Sequence, residues 1–235
     1  MSARNDISNL PDGGLLLAVD GPSGTGKSTT CRALAKQLNA KYVDTGAMYR
    51  VATLAVLRAG VDPAQTDAVI AATADLPLTV SDDPDSTKVL LGGVDVSDEI
   101  RGPEVTRNVS AVSAIPQVRE NLVALQRRLA ANAHRAIVEG RDIGTVVLAD
   151  APAKAYLTAS AEVRAQRRYD QDIAGGRDTD YETVLADVQR RDELDSTRKT
   201  SPLTPAEDAT VIDTSDMTRA EVLDALIQLI ERSAK

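Results

Sequence analysis

The chain has 235 residues, of which 43% are hydrophobic, and a formal net charge of −8. This length fits one globular domain with room for an insertion, and the negative charge argues against a general affinity for nucleic-acid polymers. One cysteine and one histidine are too few for a disulfide or a four-ligand zinc site. The sequence has no apolar run of membrane-spanning length and no apolar signal region, so we expect a cytoplasmic protein without membrane contact.

Hydrophobic patterning predicts alternating strands and helices after a flexible leader over residues 1–13. The apolar run Leu15 to Val19 has the length of a buried strand, and a glycine-rich turn and a helical pattern to about Leu38 follow it. Later strands are predicted at 42–43, 136–138, 154–157 and 210–212, and helices at 47–59, 104–113, 117–132, in two pieces around Gly175-Gly176, and from Arg219.

Residues 61–105 differ in composition, since Pro and Asp become frequent there. Three short apolar runs in this segment, at 76–80, 87–91 and 93–96, are separated by the turn formers at 82–85 and 92–93. This pattern predicts a small antiparallel insertion. The remainder, 14–60 and 106–235, predicts an α/β core with a mostly parallel sheet covered by helices on both faces.

A glycine-rich loop lies between the first strand and the first helix. It reads Gly21-Pro22-Ser23-Gly24-Thr25-Gly26-Lys27-Ser28 and matches the phosphate-binding pattern G-x-x-x-x-G-K-[ST] in full. Backbone N–H groups of such a loop face the phosphates, the lysine reaches the β- and γ-phosphates, and the hydroxyl at the last position ligates Mg²⁺. We therefore expect ATP at residues 21–29, including Thr29, with Lys27 catalytic and Ser28 on the metal.

The phosphate loop alone does not identify the acceptor, because motor ATPases, GTPases and small-molecule kinases share it. An Asn-Lys-x-Asp segment for guanine is absent from the sequence. The apolar run Ala136 to Gly140 lacks the Asp-Glu pair typical of a motor ATPase. The kinase interpretation fits best.

Four segments carry further specific patterns: Asp20 to Ser28, Asp44 to Arg50, Gly140 to Val147, and Arg191 to Arg198 before Ser201-Pro202-Leu203. Together they resemble the bacterial cytidylate kinases, a branch of the nucleoside monophosphate kinases. The resemblance extends from Leu15 to the C-terminal helix and implies a P-loop kinase core with a five-stranded parallel sheet, a helical lid near 161–180 and the 61–105 insertion on the acceptor side. It implies transfer of the ATP γ-phosphoryl group to CMP or dCMP, with Mg²⁺, by a monomer.

The same resemblance implies roles for individual residues. Arg50 would hold the CMP phosphate, with Thr45 and Ser110 as polar contacts at the pyrimidine end. The carboxylate of Asp142 would accept from the cytosine amine while Arg119 donates to the ring. The residues expected at the transferring phosphates and the sugar are Arg141, Arg191 and Arg198 (catalytic) and Asp195. Those expected in the lid over ATP are Arg164, Arg167 and Arg168.

Several alternatives remain open at this stage. Family members often carry Ser where Thr45 stands and Asp where Glu139 stands, so no metal role is assigned to Glu139. The spacing of Arg191, Asp195 and Arg198 also fits an intrahelical salt-bridge ladder. Rival functions are a kinase for UMP, dTMP or a hydroxyl acceptor, for which Asp44 is the candidate base, and a nucleotide-sensing protein without turnover.

Overall fold

The computed structural model describes residues 14–233, so the predicted leader over 1–13 lies outside the described residues. The eight strands are β1 (Leu15–Asp20), β2 (Lys41–Asp44), β3 (Leu78–Val80), β4 (Val89–Leu91), β5 (Val94–Asp95), β6 (Arg135–Glu139), β7 (Ala153–Thr158) and β8 (Thr210–Asp213). The helices are α1 (Lys27–Gln37), α2 (Thr45–Arg58), α3 (Thr66–Thr73), α4 (Pro103–Ser113), α5 (Pro116–Ala131), α6 (Ala161–Ala174), α7 (Tyr181–Thr197) and α8 (Arg219–Ser233).

Five strands form one parallel sheet in the order β2-β6-β1-β7-β8. The chain crosses between strands through helices, as parallel pairing requires. Glu139 pairs in register with Val19 of β1 and with Asp44 of β2. Because the carboxyl ends of parallel strands meet at one edge, the residues after β1, β2 and β6 lie side by side there.

Alternate residues of the central strands enter two different cores. Leu17 and Val19 of β1 pack with Leu34 of α1 and Leu226 of α8. Ala18, the residue between them, packs in the second core. That second core lies against α2, α4 and α5 and is equally aliphatic. The period of two along β1 thus covers both faces of the sheet, which confirms the predicted fold class.

The 61–105 segment contains the predicted antiparallel strands, which form a three-stranded sheet in the order β3-β4-β5. It also contains α3, which was not predicted because its eight residues stand between turn-forming Pro and Asp residues. Val69 of α3 is buried in the core shared with α2 and α5. The loop at 82–86 returns to the main sheet, where the carbonyl of Asp82 accepts from the amide of Tyr42 at 2.8 Å.

Helix ends agree with the predictions to within a few residues, with one consequential exception. Arg198 follows the last residue of α7 in an extended conformation, with φ −62 and ψ 140. A π-helical turn, Ile143–Val147, was likewise not predicted. Within residues 14–233, every helix is too short or too polar to cross a bilayer.

Candidate active site

The phosphate loop connects the end of β1 to the start of α1, where the sequence placed it. Gly21, Gly24 and Gly26 have positive φ angles of 144, 84 and 86. A Cβ atom on Gly21 would lie 2.0 Å from the carbonyl oxygen of Leu157, so only glycine fits this approach. Within residues 14–233, the amides of Ser23, Gly24 and Gly26 donate no hydrogen bond to other protein groups. These free donors, beside a helix N-terminus, form an anion-binding cradle.

Lys27 is buried at the base of this loop. Its ammonium donates to the carbonyls of Gly21 and Pro22 at 2.7 and 2.6 Å, and it lies 3.3 Å from the hydroxyl of Thr25. Burial and then the nearby charge of Arg141 lower the pKa of Lys27. A polyphosphate placed in the loop would reverse this shift, since an anion favours the charged ammonium.

Ser28 lies beside Glu139 at the carboxyl edge of the sheet. The Ser28 hydroxyl, on an exposed residue, donates to Oε1 of Glu139 at 2.6 Å, and the Tyr42 hydroxyl donates to the same oxygen at 2.7 Å. The other carboxylate oxygen, Oε2, is buried and has no hydrogen-bond partner among the described residues. Burial, and then Asp44, raise the pKa of Glu139. Hydroxyl and carboxylate oxygens are ligands that Mg²⁺ accepts, so this pair fits a metal accompanying ATP.

Two of the three predicted lid arginines connect α6 to the phosphate loop. Arg164 donates to the carbonyl of Ser23 at 3.2 Å and forms a two-pronged ion pair with Asp192 of α7. Arg167 donates to the carbonyl and hydroxyl of Thr214 at 2.6 and 3.1 Å. The Thr214 hydroxyl in turn lies 3.3 Å from the carbonyl of Thr25. These contacts attach the base of α6 to the donor side.

Arg168 differs from these two arginines because it pairs with Asp172 on its own helix at 3.0 Å. Its side chain is 32% exposed. It is nevertheless close enough to Arg50 and Arg191 for its charge to contribute to lowering their pKa values. Arg168 therefore lies nearer the acceptor-side cations than the donor loop.

The loop after β6 carries two of the residues predicted on the acceptor side, and Asp20 holds this loop in place. The Asp20 carboxylate accepts from the amides of Ile143 and Gly144 at 2.8 and 2.7 Å. Burial raises the pKa of Asp20 to about 6, although these two hydrogen bonds oppose the shift. Arg141 and Asp142, which precede the π-helical turn, are thereby fixed relative to the end of β1.

Asp142 forms a buried ion pair with Arg119 of α5, and each side chain is 4% exposed. The Arg119 guanidinium also stands over the ring of Tyr49, 5.4 Å from its centre. Arg198 approaches the other Asp142 oxygen at 3.9 Å while its Nε donates to the carbonyl of Ser201. The predicted base-reading pair is thus brought together, with Arg198 beside it.

Asp195 faces Arg141 and Ser110 and makes no intrahelical ladder. Its carboxylate accepts from Nε of Arg141 at 3.0 Å and from the Ser110 hydroxyl at 3.1 Å. Burial acts to raise its pKa, but Arg141 holds the pKa of Asp195 below the usual value. The ladder alternative is wrong because α7 ends at Thr197, which leaves Arg198 outside the helix, and because Asp195 turns toward Arg141.

Arg50 and Arg191 complete a group of cations near Arg141. Arg50 donates to the carbonyl of Ile100 at 3.0 Å and to the Thr106 hydroxyl at 2.9 Å. Burial and then Arg191 lower the pKa of Arg50 to about 9, while burial and then Arg141 lower that of Arg191 to about 10. The Nε of Arg191 is buried without a hydrogen-bond partner in the described part of the chain. Mutually repelling cations with an unused donor form a site for an anion.

Three further candidate residues lie at the ends of secondary-structure elements near the site. The Thr45 hydroxyl is buried and donates to the carbonyl of Glu139 at 2.7 Å, where it fixes the end of β6. Thr29 lies exposed on the first turn of α1. Asp44, the candidate base of a hydroxyl kinase, accepts from the amide of Ala47 at 3.0 Å and so caps α2.

Sequence reasoning missed Asp20, Tyr42 and Asp192 and left Glu139 without a metal role. Asp20 immediately precedes the glycine-rich loop, and Glu139 immediately precedes Gly140-Arg141-Asp142. Their positions were therefore available as signals. The pairing of Tyr42 with Glu139, and of Asp192 with Arg164, depends on contacts between distant segments that spacing does not reveal.

Comparison with known proteins agrees with this geometry. The family model described as "Cytidylate kinase" matches residues 17–232. A cytidylate kinase of Corynebacterium glutamicum is 74% identical, over 96% of this chain and 98% of that protein. A cytidylate kinase of Mycobacterium avium is 58% identical, over 94% of this chain and 97% of that protein.

A solved structure of a gluconokinase from Sinorhizobium meliloti matches 95% of this chain and 95% of its own, with a TM-score of 0.50 and 16% identity. At that identity the likeness concerns the fold alone, an α/β fold with a parallel sheet. The family match covers nearly every described residue, including both sides of the site. The chain belongs to the cytidylate kinase family.

Proposed function

We propose that the chain transfers the γ-phosphoryl group of ATP to CMP or dCMP and releases ADP with CDP or dCDP. The observation that carries this proposal is a buried Arg119–Asp142 pair beside a group of partly unsatisfied arginines. A carboxylate and a guanidinium side by side match the donor and acceptor edge of cytosine. Uracil presents the opposite pattern at the position of the exocyclic amine, which disfavours UMP and dTMP as acceptors.

On the donor side, the amides of residues 23–26 and the ammonium of Lys27 would bind the phosphate tail. For this, Lys27 must exchange its bonds to the carbonyls of Gly21 and Pro22 for phosphate oxygens. Ser28 and Glu139 would hold the Mg²⁺ that accompanies ATP, and that ion supplies neutralisation of phosphate charge. Arg164 and Arg167, with their contacts to Ser23 and Thr214, would border the bound nucleotide.

On the acceptor side, Arg50, Arg141 and Arg191 would hold the monophosphate. Asp195, already bonded to Ser110 and Arg141, would accept from a sugar hydroxyl. Arg198 would join the phosphates from beside Asp142. In this proposal Thr45 only supports the carboxyl end of β6, because its hydroxyl proton is already donated to the carbonyl of Glu139.

The transfer needs no general base in this arrangement. The second pKa of a phosphate monoester is near 6, so the attacking oxygen is largely anionic at neutral pH. The protein's contribution is to align the two anions and to stabilise charge on the transferring group through Lys27 and the arginines. Closure of the segment 161–180 would exclude water and limit ATP hydrolysis.

A panel of monophosphates tests the substrate. CMP, dCMP, UMP and dTMP would be supplied in turn with Mg-ATP, and ADP release would be followed by a coupled assay. CMP and dCMP should give the highest kcat/KM. Fast release with UMP or dTMP, but not with CMP, would overturn the acceptor assignment. ATP binding by calorimetry without release on any acceptor would instead favour a nucleotide sensor.

The expected monomer and the cytoplasmic location are part of the same proposal. The monomer rests on the family alone, and the cytoplasmic location rests on the composition of the chain. Light scattering of the purified protein with and without substrates measures the first, and fractionation of cells expressing the full chain measures the second.

A further inference from the structure

Tyr42 is a buried aromatic residue that directly contacts the metal side of the donor site. It lies on β2, is 1% exposed, and its hydroxyl donates to Oε1 of Glu139 at 2.7 Å. A tyrosine hydroxyl has one proton to donate. Since Ser28 donates to the same oxygen, Oε1 carries two hydrogen bonds while Oε2 has none within the described residues.

Both the ring and the backbone of Tyr42 contact other segments of the chain. The Arg32 guanidinium stands 4.4 Å from its centre. Arg32 also donates to the carbonyl of Ser86, at 2.6 Å, in the loop of the 61–105 insertion. The amide of Tyr42 donates to Asp82 of the same loop. Ion pairs of Lys36 with Asp85 and of Lys41 with Asp82 add to this attachment.

We propose that Tyr42 is a positioning residue: it holds Glu139 by one oxygen and leaves the other available to the metal that accompanies ATP. Without the phenol proton, only Ser28 would donate a hydroxyl to the carboxylate, beside the buried thiol of Cys31, and Ser28 must turn to the metal when ATP binds. Partners that orient a ligating carboxylate commonly change metal affinity by tenfold or more when they are removed. This inference rests on the proposed function, because the metal arrives with ATP.

The test compares ATP binding by calorimetry in Mg²⁺ and in EDTA, without an acceptor, for wild type and Tyr42→Phe. The dissociation constant in EDTA divided by the dissociation constant in Mg²⁺ reports how much the metal adds to ATP affinity. Tyr42→Phe should lower that ratio about tenfold and leave the constant in EDTA unchanged. The matched control is Thr73→Val, which removes another buried hydroxyl, bonded to the carbonyl of Val69 at 2.8 Å on α3. It should change neither constant.

A second measurement uses absorption in the near ultraviolet. The chain has five tyrosines and no tryptophan, so tyrosine gives the protein's own absorption there, and subtracting the spectrum of the Tyr42→Phe complex removes the contribution of adenine. Adding Mg²⁺ to the ATP complex should weaken the phenol's hydrogen bond to Glu139 and shift tyrosine absorption to the blue. An unchanged ratio in Tyr42→Phe, or no metal-dependent shift in wild type, overturns the inference. Failure of wild type to bind ATP in either buffer overturns the proposed function itself.

Discussion

The donor and acceptor sides of the site are built in different ways. The donor loop is eight consecutive residues whose conformation follows from three glycines and a helix start. The proposed acceptor side is collected from α2, α4, α5, α7 and the loop after β6, and Arg119 and Arg141 there form ion pairs with Asp142 and Asp195. A loop of consecutive residues can therefore hold a phosphate-binding conformation before the ligand arrives. Charged side chains from distant segments, in contrast, need ion pairs with one another to stay buried.

If the ammonium of Lys27 is essential to the donor side, Lys27→Met should impair phosphoryl transfer without affecting the acceptor side. We expect kcat to fall by about 10³-fold, because the variant lacks the buried ammonium that would stabilise charge on the transferring phosphoryl group. CMP binding measured by calorimetry should stay close to wild type, since none of the acceptor-side groups is removed. A variant that loses CMP affinity to the same extent would mean that the two sides are not separable.

The acceptor side should show its dependence on internal pairing when Asp142 is replaced by Ala. Arg119 is then buried without a counter-charge, which typically costs about 3–5 kcal/mol. Chemical denaturation measures the change in free energy of unfolding. The double variant Arg119→Met with Asp142→Leu should recover most of that stability but not CMP binding. A loss below about 1 kcal/mol in the single variant would contradict the argument.

Two arginines of α6, Arg164 and Arg168, allow a similar comparison with smaller expected losses of stability. Arg164→Met removes a buried pair with Asp192 and should cost about 2 kcal/mol of stability. Arg168→Met, four residues later, removes a part-exposed intrahelical pair and should cost less than about 0.5 kcal/mol. Denaturation curves of the two variants provide the measurement, and equal losses would mean that contacts to Ser23 and Asp192 add no stability.

The smallest expected effect is the uptake of a fraction of a proton for each ATP bound. The pKa of Lys27 is lowered in the free protein, so part of the population is neutral at alkaline pH, and Mg-ATP should restore the charge. Binding then takes up protons, more at pH 9 than at pH 7, and ATP affinity falls as pH rises. Calorimetry in two buffers of different ionisation enthalpy measures the uptake. The Lys27→Met protein should show none, and equal uptake in both would locate the proton elsewhere.

The difference between the two sides also explains what the sequence could predict. The strand, loop and helix around Lys27 are local, so their pattern predicted them almost to the residue. The resemblance pointed to Arg119 and Asp142, but only folding shows that they pair. Spacing alone suggested that Arg191 and Arg198 share a helix face, and this was wrong because the chain leaves α7 at Arg198. The role of Tyr42 depends on β2, β6 and α1 meeting at one edge.

The attachment of α6 has a consequence for motion. Arg164 and Arg167 lie in its first two turns and are tied to Ser23 and Thr214. If the segment 161–180 closes over the nucleotide as proposed, its hinge belongs beyond Arg167, toward Gly175-Gly176. With a hinge there, only the part of the segment beyond Arg167 moves, and nucleotides exchange while the phosphate loop keeps its conformation.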